Sequence, residues 1–134
     1  MRGTINTDGG ARGNPGPAGI GAVVRDDSGE VIAELAESIG VATNNVAEYK
    51  ALIAGLELAL EKGLTHVEVR VDSELVVSQV NGLWRIKKDQ LLLLAARARA
   101  LLGRFESATI VHVRRELNSD ADALANQAMD AAQL

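Results

Sequence analysis

The thirteen residues from Thr7 to Gly19 contain five glycines and two prolines, and they join two runs of β-type residues, Thr4 to Thr7 and Ile20 to Arg25. A hairpin needs only about two to five loop residues, so the stretch reads as a long loop. Glycine removes the Cβ and permits left-handed backbone, and proline stiffens the chain beside it. Such a segment suits close approach of backbone to something else. Asp8 stands where the first strand is expected to end. Alone, its ordinary explanation is a turn residue, because Asp-Gly favours turns.

The rest of the chain alternates. Val31 to Ile39 reads as a third strand after the turn at Asp26 to Gly29, which makes an antiparallel meander. A helix is expected from an Asn45 N-cap, with Leu52, Ile53, Leu56, Ala59 and Leu60 at helical spacing and Gly63 as its stop. Val67, Val69 and Val71 alternate in a fourth strand. A short helix runs from Asp72-Ser73 to Val80, a longer one from Asp89 to Leu102. Ala108 to Val113 gives a fifth strand, and Ser119 opens a last, alanine-rich helix. The order βββαβααβα implies an α/β fold: a mixed sheet with helices on its faces. At 134 residues, with no repeat or linker, one domain over 1–134 is expected.

Composition narrows the chemistry. There is no cysteine, which removes disulfide frameworks, cysteine-ligated zinc and cysteine nucleophiles. No apolar run approaches the roughly 18 residues of a membrane span, and no leader pattern opens the chain, so a cytoplasmic protein is expected. The net charge of −4 argues against a general nucleic-acid binder. Arg85, Lys87, Lys88, Arg97, Arg99 and Arg104, however, face only Asp89 as an anion within their stretch. A solvated helix face and a phosphate-tracking patch both explain that cluster, and charge alone does not separate them.

Four carboxylates gain meaning together. Asp8 and Asp72 end the first and fourth strands, which would be neighbours. Glu48 and Asp122 lie in the first turns expected for two helices. Each has an innocent explanation. Asn45 with Glu48, and Ser119 with Asp122, have capping-box spacing, and Asp72 could be an N-cap. As a group they would repel one another unless a cation neutralises them. Hard divalent ions such as Mg²⁺ prefer oxygen ligands, and with only His66 and His112 a softer site is disfavoured. Two such ions about 3.5–4 Å apart serve phosphoryl displacement.

The blocks Thr7-Asp8-Gly9-Gly10, Gly13 to Pro17, Thr43 to Tyr49, Asp72-Ser73 and Asn118 to Ala125 closely resemble ribonuclease H type 1, over essentially the whole chain and in order. The resemblance is greatest to its compact bacterial and archaeal branch. It implies a five-stranded mixed sheet and endonucleolytic hydrolysis of the RNA strand of RNA–DNA hybrids, leaving 3′-hydroxyl and 5′-phosphate ends. It also implies two Mg²⁺ ions, for which Mn²⁺ often substitutes. By position, Asp8, Glu48, Asp72 and Asp122 match the metal-binding carboxylates, with Asp120 a competitor for the fourth place. Gly9, Gly10 and Ala11 match the backbone that reads RNA 2′-hydroxyls. Asn14, Asn44 and Asn45 match groove contacts, and Asn14 with Thr43 surrounds a DNA phosphate. A monomer acting on hybrid, with double-stranded RNA as a further partner and no membrane, is the expectation. The alternative is a non-catalytic hybrid or double-stranded RNA binding module.

Three departures stand out. The loop Val113 to Leu117 lacks the histidine many members carry, and His112 reads as a strand residue; Arg114 or Arg115 would hold a phosphate instead. Glu74 replaces a common groove-contacting glutamine. Asn81 to Asp89 is too short for the family's basic protrusion. Trp84, Arg85, Lys87 and Lys88 could form a reduced version, although partial core packing is the favoured explanation for Trp84.

Overall fold

The computed structural model describes residues 1–132. Five strands, β1 (Arg2–Ala11), β2 (Gly16–Asp26), β3 (Val31–Ala42), β4 (His66–Val71) and β5 (Ser107–His112), form one sheet in the order β3-β2-β1-β4-β5. β1 and β2, and β2 and β3, pair antiparallel; β1 with β4 and β4 with β5 pair parallel. The helices are α1 (Asn44–Glu61), α2 (Glu74–Val80), α3 (Asp89–Leu102) and α4 (Ser119–Ala132), the last entered through a 3₁₀ turn at Arg115–Asn118. The predicted order βββαβααβα and the five-stranded mixed sheet are therefore both present.

The sheet is sandwiched. Successive residues of a strand point to opposite faces. A Cβ built on Gly9 would meet α1, and one built on Gly10 would meet Met129 of α4. α1 thus lies on one face, with α3 packed outside it, and α4 lies on the other. With so few aromatic residues, aliphatic side chains fill the interior: Ile5, Leu52, Leu56, Val69, Val71 and Val76 are fully buried around Tyr49.

The segment Thr7–Gly19 is not a long loop. β1 continues to Ala11 and β2 begins at Gly16, leaving only Arg12 to Pro15 between them. The glycines serve packing instead. A Cβ on Gly19 would lie 2.7 Å from Met129 N, and one on Gly21 would lie 2.4 Å from Ala121 O, so β2 is bare where α4 crosses it. Within this segment only Gly13, at φ 99°, needs glycine for its backbone conformation.

The expected caps also move. Thr43, not Asn45, caps α1, accepting from Val46 N at 3.2 Å. Glu48 thus falls in the second turn and closes no capping box. Ser73, not Asp72, caps α2. Ser119 already has helical backbone, because the 3₁₀ turn runs straight into α4. In each case the carboxylate is left free for another use.

Candidate active site

The parallel pairing of β1 with β4 ends at Thr7–Val71. Asp8 is the next residue of β1 and Asp72 the next after β4, so both carboxylates emerge where this part of the sheet stops. Side chains from the two helical layers can meet there. Asp8 is 7% exposed.

Glu48 reaches this point because Gly9 lets α1 close on β1. The Gly9 amide donates to Glu48 Oε1 at 3.1 Å. Two further bonds zip the hairpin to the start of α1. Ala11 N donates to Asn44 Oδ1 at 2.9 Å, and Asn44 N donates to Asn14 Oδ1 at 3.1 Å. Asp72 is held from below, its Oδ2 accepting from Asn118 Nδ2 at 2.9 Å. One oxygen from each of Asp8, Glu48 and Asp72 lies within 4.8 Å of the others. Asp122, in the first turn of α4, lines the same cleft, whereas Asp120 turns away to pair with Arg25. Asp120 is thus engaged outside the cleft, while Asp122 faces into it.

Burial pushes the Asp8 carboxyl well above its ordinary range, and the neighbouring charges of Glu48 and Asp72 push it further, with Asp122 adding to the effect. Glu48 is raised too, first by burial and then by the Asp72 charge; the adjacent Asp8 carboxyl, the Gly9 N–H and the Arg115 charge offset this in part. Glu48 Oε2 is buried and has no hydrogen-bond partner. An all-oxygen donor set, charge in excess of its cations and an orphaned carboxylate oxygen are what a hard divalent cation satisfies.

The cleft, of about 500 Å³, also takes in Gly10, Ala11, Arg12, Asn44, Asn45, Ser73, Arg115 and Met129. Of the predicted contacts, Asn14 supports the wall through Asn44, and Thr43 is occupied as a cap. Arg12 was not anticipated: it is pinned to α4 by Asn126 and Asp130 at 3.0 and 2.8 Å. Lys87 and Lys88 line a second depression of about 270 Å³ with Arg85, Leu75, Gln79 and Leu91. Asn45 belongs to both depressions, so they adjoin. Trp84 is 45% exposed, so rather more than half of it is covered, at the end of the turn after α2 and next to the outward-facing Leu83. His112 ends β5, exposed, as its strand reading anticipated.

A family model described as reverse transcriptase-like matches residues 6–128. A bifunctional protein of Mycobacterium tuberculosis is 52% identical over 133 residues, which is 98% of this chain and 36% of that protein. Ribonuclease HI of Halobacterium salinarum is 49% identical over 123 residues, 92% of this chain and 62% of that one. The chain thus spans about a third of the mycobacterial relative. Among solved structures, the N-terminal RNase H domain of a Mycobacterium tuberculosis protein, fused to maltose-binding protein, superposes with a TM-score of 0.96 at 50% identity, covering 99% of this chain and 96% of that one. LC11-RNase H1 in complex with an RNA/DNA hybrid superposes at 0.92 with 44% identity, covering 98% and 99%. With the β1–β4 carboxylates and the fold in agreement, this chain belongs to the ribonuclease H family, in its compact prokaryotic type 1 form.

Proposed function

We propose that the chain, as a single catalytic domain and a monomer, is a divalent-metal-dependent endonuclease. It hydrolyses the RNA strand of RNA–DNA hybrids to 3′-hydroxyl and 5′-phosphate ends. The observation that carries this reading is the convergence of Asp8, Glu48 and Asp72 within 4.8 Å, around a buried and unpartnered Glu48 oxygen. Asp8, Glu48, Asp72 and Asp122 would hold two Mg²⁺ or Mn²⁺ ions. When bound, such a pair supplies an activated water and charge stabilisation for the leaving oxygen of an in-line displacement.

The chain's own groups do the rest. Gly9, Gly10 and Ala11 present bare backbone beside the carboxylates, where a 2′-hydroxyl distinguishes RNA from DNA. Arg115 brings a cation to the cleft, suited to a phosphate of the cut strand. Lys87 and Lys88, one depression away across Asn45, are placed for phosphates of the uncut strand. A module that only binds would gain nothing from clustered anions facing phosphates.

The test is cleavage of an end-labelled RNA–DNA hybrid in Mg²⁺ and in EDTA, beside the same RNA single-stranded and as an RNA duplex. Mg²⁺-dependent cutting of the hybrid alone is expected. Cutting of the RNA duplex would widen the substrate class, and tight hybrid binding without cleavage in either metal would overturn the catalytic reading. Replacing Lys87 and Lys88 together by Ala should weaken hybrid binding whatever its sequence. It should also reduce the slope of log K against log salt by roughly one unit for each phosphate that the lysines neutralise. An unchanged slope would remove both lysines from the interface.

A further inference from the structure

Behind the carboxylates lies a buried polar chain whose two asparagines do not line the cleft. Asn6, on β1 between Val23 and Arg70, is 4% exposed, and Asn118, the last residue of the 3₁₀ turn, is 1% exposed. Asn6 Nδ2 donates to Asn118 Oδ1 at 3.0 Å. Asn118 Nδ2 donates both to Thr7 O and to Asp72 Oδ2, each at 2.9 Å. Every polar atom of the Asn118 amide is therefore used, and its orientation is fixed from three sides. Turned over, its oxygen would face the Thr7 carbonyl and the Asp72 carboxylate, acceptor against acceptor, and its nitrogen would face the Asn6 donor.

Asn6 is costly. Its Oδ1 is buried with no hydrogen-bond partner. A buried polar group left half-satisfied works against folding, and an apolar residue at this strand position would avoid the orphaned oxygen. What Asn6 provides is a donor aimed at Asn118, and through it a fixed carboxylate two bonds away.

From this we infer that Asn6 is a positioning residue for metal binding. By locking the Asn118 amide, it holds Asp72 in the rotation that presents the carboxylate to Asp8 and Glu48. The inference rests on the metal-dependent reading above. Because Asn118 also leads directly into α4, the same lock ties the start of the helix carrying Asp122 to the Asp72 carboxylate. Groups that orient ligating carboxylates from behind typically influence metal affinity about 10–100-fold.

The experiment is calorimetric titration of the full chain with Mn²⁺ in the absence of nucleic acid, with hybrid cleavage followed against Mg²⁺ concentration in parallel. Asn6→Leu removes the donor and should weaken Mn²⁺ binding about tenfold, while the thermal midpoint of the metal-free protein does not fall in step. Asn6→Val, an apolar side chain suited to a strand, likewise removes the donor and should weaken binding as much as Asn6→Leu. Asn6→Gln keeps an amide donor long enough to reach Asn118 Oδ1 and should stay within about threefold of the unmodified protein, with hybrid KM at saturating metal unchanged in all three. Should Asn6→Leu not fold, the Val and Gln variants decide the matter. Equal Mn²⁺ affinity for those two, or affinities that track stability alone, would overturn the positioning role. If the unmodified protein itself neither binds Mn²⁺ nor cuts hybrid, the metal-dependent reading fails instead.

Discussion

Replacing Asp8 with Asn should lower hybrid cleavage by at least about 10³-fold, the loss of roughly 4 kcal/mol of transition-state stabilisation, while making the metal-free protein more stable at neutral pH. Both effects follow from one geometry. Asp8 is buried, faces Glu48 and Asp72, and has its carboxyl pushed well above the ordinary range by burial first and by those charges second. The folded state therefore holds a proton that the unfolded chain releases near pH 4. Between that pH and the raised folded value the unfolded state binds fewer protons, so stability falls as pH rises. Metal-free protein is thus expected to have a higher thermal midpoint at pH 5 than at pH 8, and Mg²⁺ should recover most of the difference by replacing the proton. Asn at position 8 keeps the shape without the charge. It should raise the metal-free midpoint at pH 8 by about 3–10 °C, corresponding to on the order of 1–3 kcal/mol, and should abolish most of the response to Mg²⁺. Thermal scans at the two pH values, with and without Mg²⁺, check this. Full activity in the variant, or a lower midpoint than the unmodified protein at pH 8, would contradict the assignment.

That such a site could be approached from the sequence owes to where carboxylates fall relative to element ends. Val67, Val69 and Val71 announce β4 by their alternation, so Asp72 is legible as the residue that follows a strand. Gly63, Gly82 and Gly103 mark helix ends from local signals alone. The misread segment is instructive in the other direction. Glycines at 9 and 19 look like loop residues because loops are the commonest local reason for glycine. Here their reason is non-local: α1 crosses β1, and α4 crosses β2, at backbone contact distance. No window of sequence contains both partners. The caps failed similarly, because Thr43, Asn45 and Ser119 are all plausible caps by type, and only the path of the chain chooses among them. Asn6 was invisible for a further reason. In a strand reading Thr4, Asn6, Asp8, the polar side looks solvent-facing, yet at Asn6 it is covered by Asn118 from more than a hundred residues away.

The sharpest consequence of that non-local packing is a contrast between two adjacent glycines. Neither Gly9 nor Gly10 has positive φ, so alanine can adopt the backbone of either, and any difference must come from what the new methyl meets. At Gly9 the methyl carbon would stand 2.2 Å from Ala47 O, 2.4 Å from Ala47 C and 2.8 Å from Glu48 N, all backbone of α1. Backbone cannot rotate aside, so the start of α1 must move. The Gly9–Glu48 bond and the neighbouring Ala11–Asn44 and Asn44–Asn14 bonds are then strained together. At Gly10 the methyl would meet Met129 Cε at 3.3 Å and Sδ at 3.4 Å, the flexible end of a thioether that can shift by the few tenths of an ångström required. Gly9→Ala is therefore expected to cost about 3 kcal/mol or more of stability, at or beyond the upper end of ordinary overpacking. Its remaining folded molecules should cut hybrid roughly 100-fold more slowly, since a displacement of about 1 Å at a reacting constellation has that effect. Gly10→Ala should cost about 1 kcal/mol or less. Urea unfolding and cleavage rates of the two variants, measured side by side, separate the explanations. Equal losses would contradict the clash with α1, whereas a large loss confined to position 9 would mean that Glu48 reaches the site only because β1 has no side chain where α1 rests upon it.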